Sequence, residues 1–256
     1  MTTILPPSLP AFIVSLRNDS GHGIPGKEFN TDDTANYVLK TSRNPPSGPV
    51  SASDPYTYLL TTDNVVGADA WGKKVAETAA GGPVLIFIHG FSNLAPEVIT
   101  RYNAVDSGLK NTQAKITVVC FDWPSTKDVP KNYEIDQDAA IKSGPFLKSK
   151  CIQVLKNAGI LTKNIHILTH SMGGYVAQNA FDTVATEAQV GQVLMAEADV
   201  LEAAFNAGNT NNALRCFTSW ISHLTVYWSG VDLALEGAMA FAFSMLKIMI
   251  PLLILL

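Results

Sequence analysis

A series of short apolar runs, set apart by helical patterns, constrains this chain more than any other feature. The runs occupy positions 11–16, 56–61, 84–88, 116–121, 165–168, 192–196 and 224–228. Several are apolar at every position, as strands covered on both faces must be. Between them, Phe146, Leu147, Cys151, Val154 and Leu155 recur at helical spacing, and so do Val176, Ala177, Ala180, Phe181 and Val184. Strands alternating with helices predict an α/β fold, a mostly parallel sheet of about seven strands flanked by helices on both faces. No helix signal separates the first two runs, so they are expected to pair antiparallel at an N-terminal edge. In such a sheet chemistry gathers at the carboxyl ends of the strands, which sorts candidate residues by the end they occupy.

Composition narrows the function classes. The 256 residues are 47% hydrophobic and 16% charged, enough for a sizeable core and wrong for a disordered chain. A net charge of −4 offers no basic field for phosphate backbones, so no nucleic-acid partner is expected. Cys120, Cys151 and Cys216 lack the spacing of a disulfide framework or a zinc site, and read as buried thiols in a reducing compartment. There is no metal-ligand cluster, phosphate loop or dinucleotide fingerprint, so no metal or cofactor is implied. Residues 44–55, rich in Pro, Gly and Ser, read as a surface loop.

The two ends are less regular. Residues 1–10 (MTTILPPSLP) lack the basic leader and apolar run of a secretory signal, which points to a cytoplasmic protein. Residues 1–238 are expected to form one domain, with 239–256 an apolar tail interrupted only by Ser244, Lys247 and Pro251. As a helix that tail would be roughly 27 Å long, just short of the ~30 Å hydrocarbon core of a bilayer. Three readings stay open: a packed C-terminal helix, a weakly membrane-associated tail on a peripheral protein, or an end not native to the fold.

One segment carries chemistry. Residues 164–174 read NIHILTHSMGG: an apolar strand, the polar pair His170 and Ser171, then glycines opening a helix. This is the context of a nucleophile turn, which holds a serine hydroxyl at the mouth of a sheet with helix N–H groups beside it. Gly173 supplies the small residue wanted two positions after the serine. Thr169 stands where a glycine would be expected before it. Alone, the segment reads equally well as a serine capping a helix. A second segment breaks the tie. Residues 83–93 (PVLIFIHGFSN) end a strand in His89 and Gly90, where a loop could bring the Phe91 N–H toward developing negative charge while the Met172 N–H provides a second donor. Gly90 lets the backbone approach closely. His89 leaves its strand too early to be the base and reads as a histidine pinning the loop.

On these residues the sequence resembles the α/β-hydrolase superfamily, and within it a bacterial esterase- or lipase-like branch of largely uncharacterised function. The matching pieces are FIHGFSN (87–93), FDWPS (121–125), LTHSMGG (168–174), VLMAEADV (193–200) and LTVYWSGVDLAL (224–235), in matching order over most of the chain. The resemblance implies a serine hydrolase cleaving a small-molecule or lipid-like carboxylic ester through an acyl-enzyme on Ser171. It places the acid that orients the base at Asp232, with Asp199 the alternative. Glu197 and Glu236 read as surface groups or supports beside the site. Trp123 and Pro124 either line an acyl pocket or pack the core. Acyl transfer or thioester cleavage on the same serine, and a non-catalytic binding or scaffold role, are the competing functions.

The pattern breaks at the base. A histidine is expected after Asp232, and residues 233–256 contain none. Of the five histidines, His223 begins the last strand at the far end of the sheet, His166 lies within a strand, and His170 adjoins the serine, where neighbouring side chains point apart. His22 lies in an N-terminal loop. An unactivated serine loses several orders of magnitude in rate, so the expectation for this chain is a hydrolase scaffold with impaired catalysis.

Overall fold

The computed structural model describes residues 11–21, 25–40, 60, 64–112, 114–126, 132–183, 185–198 and 213–227. The tail at 239–256 lies outside them, as does the expected strand at 56–61 apart from Leu60, which lies in a turn. Ten strands are described: β1 (Ala11–Ser15), β2 (Arg17–Asp19), β3 (Pro25–Phe29), β4 (Asn36–Lys40), β5 (Val65–Val66), β6 (Val84–Ile88), β7 (Thr117–Asp122), β8 (Ile165–His170), β9 (Val190–Ala196) and β10 (Ile221–Tyr227). The helices are α1 (Ala68–Ala79), α2 (Ala95–Asn111), α3 (Tyr133–Phe146), α4 (Gln153–Asn157), α5 (Gly173–Ala180) and α6 (Ala213–Trp220).

Eight strands form one sheet in the order β10-β9-β8-β6-β7-β1-β4-β5. From β10 to β1 every pairing is parallel, while β4 and β5 continue the sheet antiparallel. The antiparallel N-terminal edge is therefore present. However, β1 pairs with residues 36–40 and lies inside the sheet rather than at its margin. The sequence hid β4 because NYVLK is short and flanked by polar residues, where burial is decided by neighbours.

The apolar runs are strands because helices cover both faces. On one face Val84, Ile86 and Ile88 of β6 join Trp71 and Val75 of α1, Leu155 of α4 and Val176 of α5 in one buried cluster. On the other, Leu85 and Phe87 pack with Val98, Tyr102 and Leu109 of α2. Alternation along a single strand thus feeds two cores. The predicted helix around Phe146–Leu155 is split. Pro145 lacks an N–H to continue the ladder, and the chain runs on through a π-helical stretch, Leu147–Ile152, before α4.

Connections set the location of the site. From β6 the chain crosses through α2 to β7 on one side, and from β8 it crosses through α5 to β9 on the other. Because β6 and β8 are neighbours whose connections leave in opposite directions, their carboxyl ends flank a topological switch point, the position at which open α/β sheets bind their ligands.

Candidate active site

At that switch point two turns meet. After β8, Ser171 adopts φ 50°, a left-handed conformation that a residue with a Cβ enters only when its surroundings impose it. Its N–H bonds to the Ala196 carbonyl at the end of β9 (3.0 Å), and its own carbonyl accepts from the N–H of Gly174 in the first turn of α5 (2.9 Å). Ser92 and Glu197, which follow β6 and β9, also have positive φ (58° and 47°). Backbone strain therefore recurs along this end of the sheet.

The two glycines singled out from the sequence are required by close approach. A Cβ on Gly173 would stand 2.7 Å from the carbonyl oxygens of His89 and Ile88, so only a bare backbone lets α5 begin against the end of β6. A Cβ on Gly90 would fall 2.9 Å from Ser171 Cβ and from the His170 carbonyl oxygen. The loop after β6 thus lies against the serine turn. Thr169, in the position where a glycine was expected, is buried in β8 with its hydroxyl unpartnered among the described residues.

His89 is fully buried beneath this loop. Its Nδ1 lies 3.0 Å from the Gly90 carbonyl oxygen, and a carbonyl only accepts, so Nδ1 carries a proton. Its Nε2 is 3.2 Å from the Trp123 N–H and 3.2 Å from Asp122 Oδ1. The ring stacks on Trp123 with centroids 5.1 Å apart, and the indole N–H donates to the His89 carbonyl (2.8 Å). Burial pushes the His89 pKa down despite the Asp122 contact. Trp123 has no exposed surface, so it packs beneath the loop rather than lining a pocket.

A buried ion pair anchors the floor. Arg17, just past β1, meets Asp122 Oδ1 at the end of β7 (2.8 Å). Ser15 donates its hydroxyl proton to Asp122 Oδ2 (2.7 Å). The guanidinium also reaches the carbonyls of Gly26, Ser125 and Asn93. Burial drives the Asp122 pKa up, but Arg17 and His89 outweigh it and hold the group at about 2. Sequence reasoning missed Arg17 and Asp122. The signal available was a lone charge at the end of each of two apolar runs, which water seldom reaches.

His170 is neutral near pH 7. Burial, then electrostatic interaction with Arg101 and His89, lowers its pKa to about 4, and its Nδ1 has no partner among the described residues. His166 is buried in β8, and His223 lies in β10 with its side chain exposed, away from the carboxyl end. None of the four described histidines is hydrogen-bonded to the Ser171 hydroxyl. Asp232, Asp199, Glu236 and His22 lie outside the described residues. Among the described residues, no group of three or more His, Cys, Asp or Glu could hold a metal ion.

The structure therefore brings Ser171, Met172, Gly173, His170, His89, Gly90 and Phe91 to one end of the sheet. A parallel sheet whose switch point presents a serine on a strained strand-to-helix turn is the architecture of an α/β hydrolase. The chain belongs to the family described as alpha/beta hydrolase of unknown function (DUF900), whose model matches residues 67–245. No curated protein matches the sequence. Among solved structures, that titled crystal structure of esterase PE8 is similar at 10% identity with a TM-score of 0.41, covering 65% of this chain and 92% of that one. No helix among the described residues is long and apolar enough to cross a membrane.

Proposed function

We propose that the chain is a serine hydrolase that cleaves a carboxylic ester through an acyl-enzyme on Ser171. One observation carries this reading: the left-handed serine turn lies hard against the loop after β6, and the N–H groups of Phe91 and Met172 have no acceptor among the described residues. Ser171 Oγ would attack the ester carbonyl carbon as the carbonyl electrons move onto oxygen. The two N–H groups would stabilise that oxygen, a contribution of about 3 kcal/mol for one such donor in comparable sites. Collapse would break the bond to the leaving alcohol, which takes up the proton lost by the serine. Water would then release the acid and restore the hydroxyl.

The rest of the triad is part of the proposal. Asp232, with Asp199 as the alternative, would orient a base whose identity the sequence does not supply. Without an imidazole on its hydroxyl, Ser171 would turn over slowly, on oxyanion stabilisation and substrate binding alone. That same feature favours a second reading, a binding module that kept the fold. A fluorophosphonate probe separates the two. Labelling of the full chain that disappears in Ser171→Ala is the expected result, and an unlabelled protein would leave the binding module.

A further inference from the structure

Between β6 and α2 the loop has three amides in a row. Ser92 N–H is used by Asp136 Oδ2 (3.3 Å), and Asn93 N–H by Ser125 Oγ (2.8 Å). Only the Phe91 N–H is left without an acceptor among the described residues. Its direction is not free, because in a planar trans peptide the N–H points opposite to the preceding carbonyl. That carbonyl, on Gly90, is held from two sides, by His89 Nδ1 (3.0 Å) and Asn93 Nδ2 (2.9 Å). Asn93 Nδ2 also donates to the Phe91 carbonyl (2.7 Å). The other face of the same side chain is fixed by Arg101 on α2, whose Nε donates to Asn93 Oδ1 (2.7 Å). A guanidinium only donates, so it selects the oxygen and leaves the amide nitrogen turned toward the loop carbonyls.

We propose that Asn93, locked in orientation by Arg101, is the positioning residue that aims the Phe91 N–H. The assignment deepens the serine-hydrolase reading above and rests on it for the use of that N–H. It touches no reacting atom itself. It does not depend on the backbone of Asn93, whose carbonyl accepts from Arg17 and Ser125 and whose N–H bonds Ser125. Changing the side chain therefore leaves the buried anchor of the loop in place. The informative substitution is Asn93→Asp, which keeps an oxygen for Arg101 and replaces the donor with an acceptor that repels both carbonyls.

Of the eleven phenylalanines, only Phe91 follows a glycine. Full-length protein labelled with ¹³C-carbonyl glycine and ¹⁵N-phenylalanine thus gives one carbonyl–amide cross-peak, and it reports this peptide. In Asn93→Asp the Gly90 carbonyl resonance is expected upfield, having lost a donor. Arg101→Met should move it the same way by less, and Arg101→Lys should restore it in part. Where wild type labels with fluorophosphonate, the Asn93→Asp labelling rate at saturating probe should fall about 10- to 100-fold, with half-saturating concentration unchanged. An unmoved cross-peak in Asn93→Asp overturns the proposal, and so does a moved peak with an unchanged labelling rate. If the peak moves but wild type never labels, the clamp on the peptide stands and the acyl-enzyme reading falls.

Discussion

At the scale of single residues, the site is defined by what a side chain cannot do. Ser171 holds φ 50° because Ala196, Gly174 and the abutting Gly90 backbone fix its peptide planes. A Cβ in this region costs on the order of 1 kcal/mol, which glycine does not incur. Ser171→Gly is therefore expected to be more stable than Ser171→Ala by about 1 kcal/mol, against the usual penalty for glycine. Urea midpoints of the two variants decide it, and a more stable alanine variant would mean the turn is unstrained. A strained turn at Ser171 was legible in the strand–turn–helix pattern; what imposes it was not. THSMG names small residues at useful positions, but only packing against β6 and β9 imposes the angle.

Among elements, the ends of β1 and β7 are joined to the loop after β6 by Arg17 and Asp122, both buried. Removing one member of such a pair leaves an uncompensated charge, at a cost of about 3–5 kcal/mol. Arg17→Met should lose that much, and Arg17→Met combined with Asp122→Leu should recover most of it. A loss in the double variant equal to the sum of the losses in Arg17→Met and Asp122→Leu, measured by urea unfolding, would show that the residues act independently. The pair joins residues 105 apart in sequence, so no local pattern announced it. The strand β6, by contrast, was legible to the residue, because VLIFI is apolar throughout and bounded by Pro83 and His89.

For the whole molecule, the buried histidines set an acid limit on stability. His170 has its pKa lowered to about 4 by burial and by electrostatic interaction with Arg101 and His89, against about 6.5 when unfolded. Between those values the unfolded chain binds more protons than the native one, so stability is full above pH 6.5 and declines as pH falls to 4. Burial also lowers the pKa values of His89 and His166, so they too lose stability as pH falls below the unfolded value. Asp122, held at about 2 against a usual 3.8, adds a second decline below it. His170 alone should contribute on the order of 3 kcal/mol. Urea midpoints measured from pH 7 to 3 should fall across this range and fall less in His170→Gln. A flat profile between pH 7 and 4 would contradict the assignment.

The amino-acid sequence by itself determined the alternation of apolar runs and helical faces, and with it the parallel sheet, the two-sided core and the end at which the serine turn sits. These follow from periodicity, which is a local property of the chain. Only the tertiary structure decided that β1 is interior, that Gly90 and Gly173 carry no side chain because two turns collide there, and that Arg17, Asp122, Asn93 and Arg101 hold the loop after β6. Arg17 and Asp122 are distant in sequence, and a charge or an amide reveals its partner only when folding removes the water that would otherwise have satisfied it.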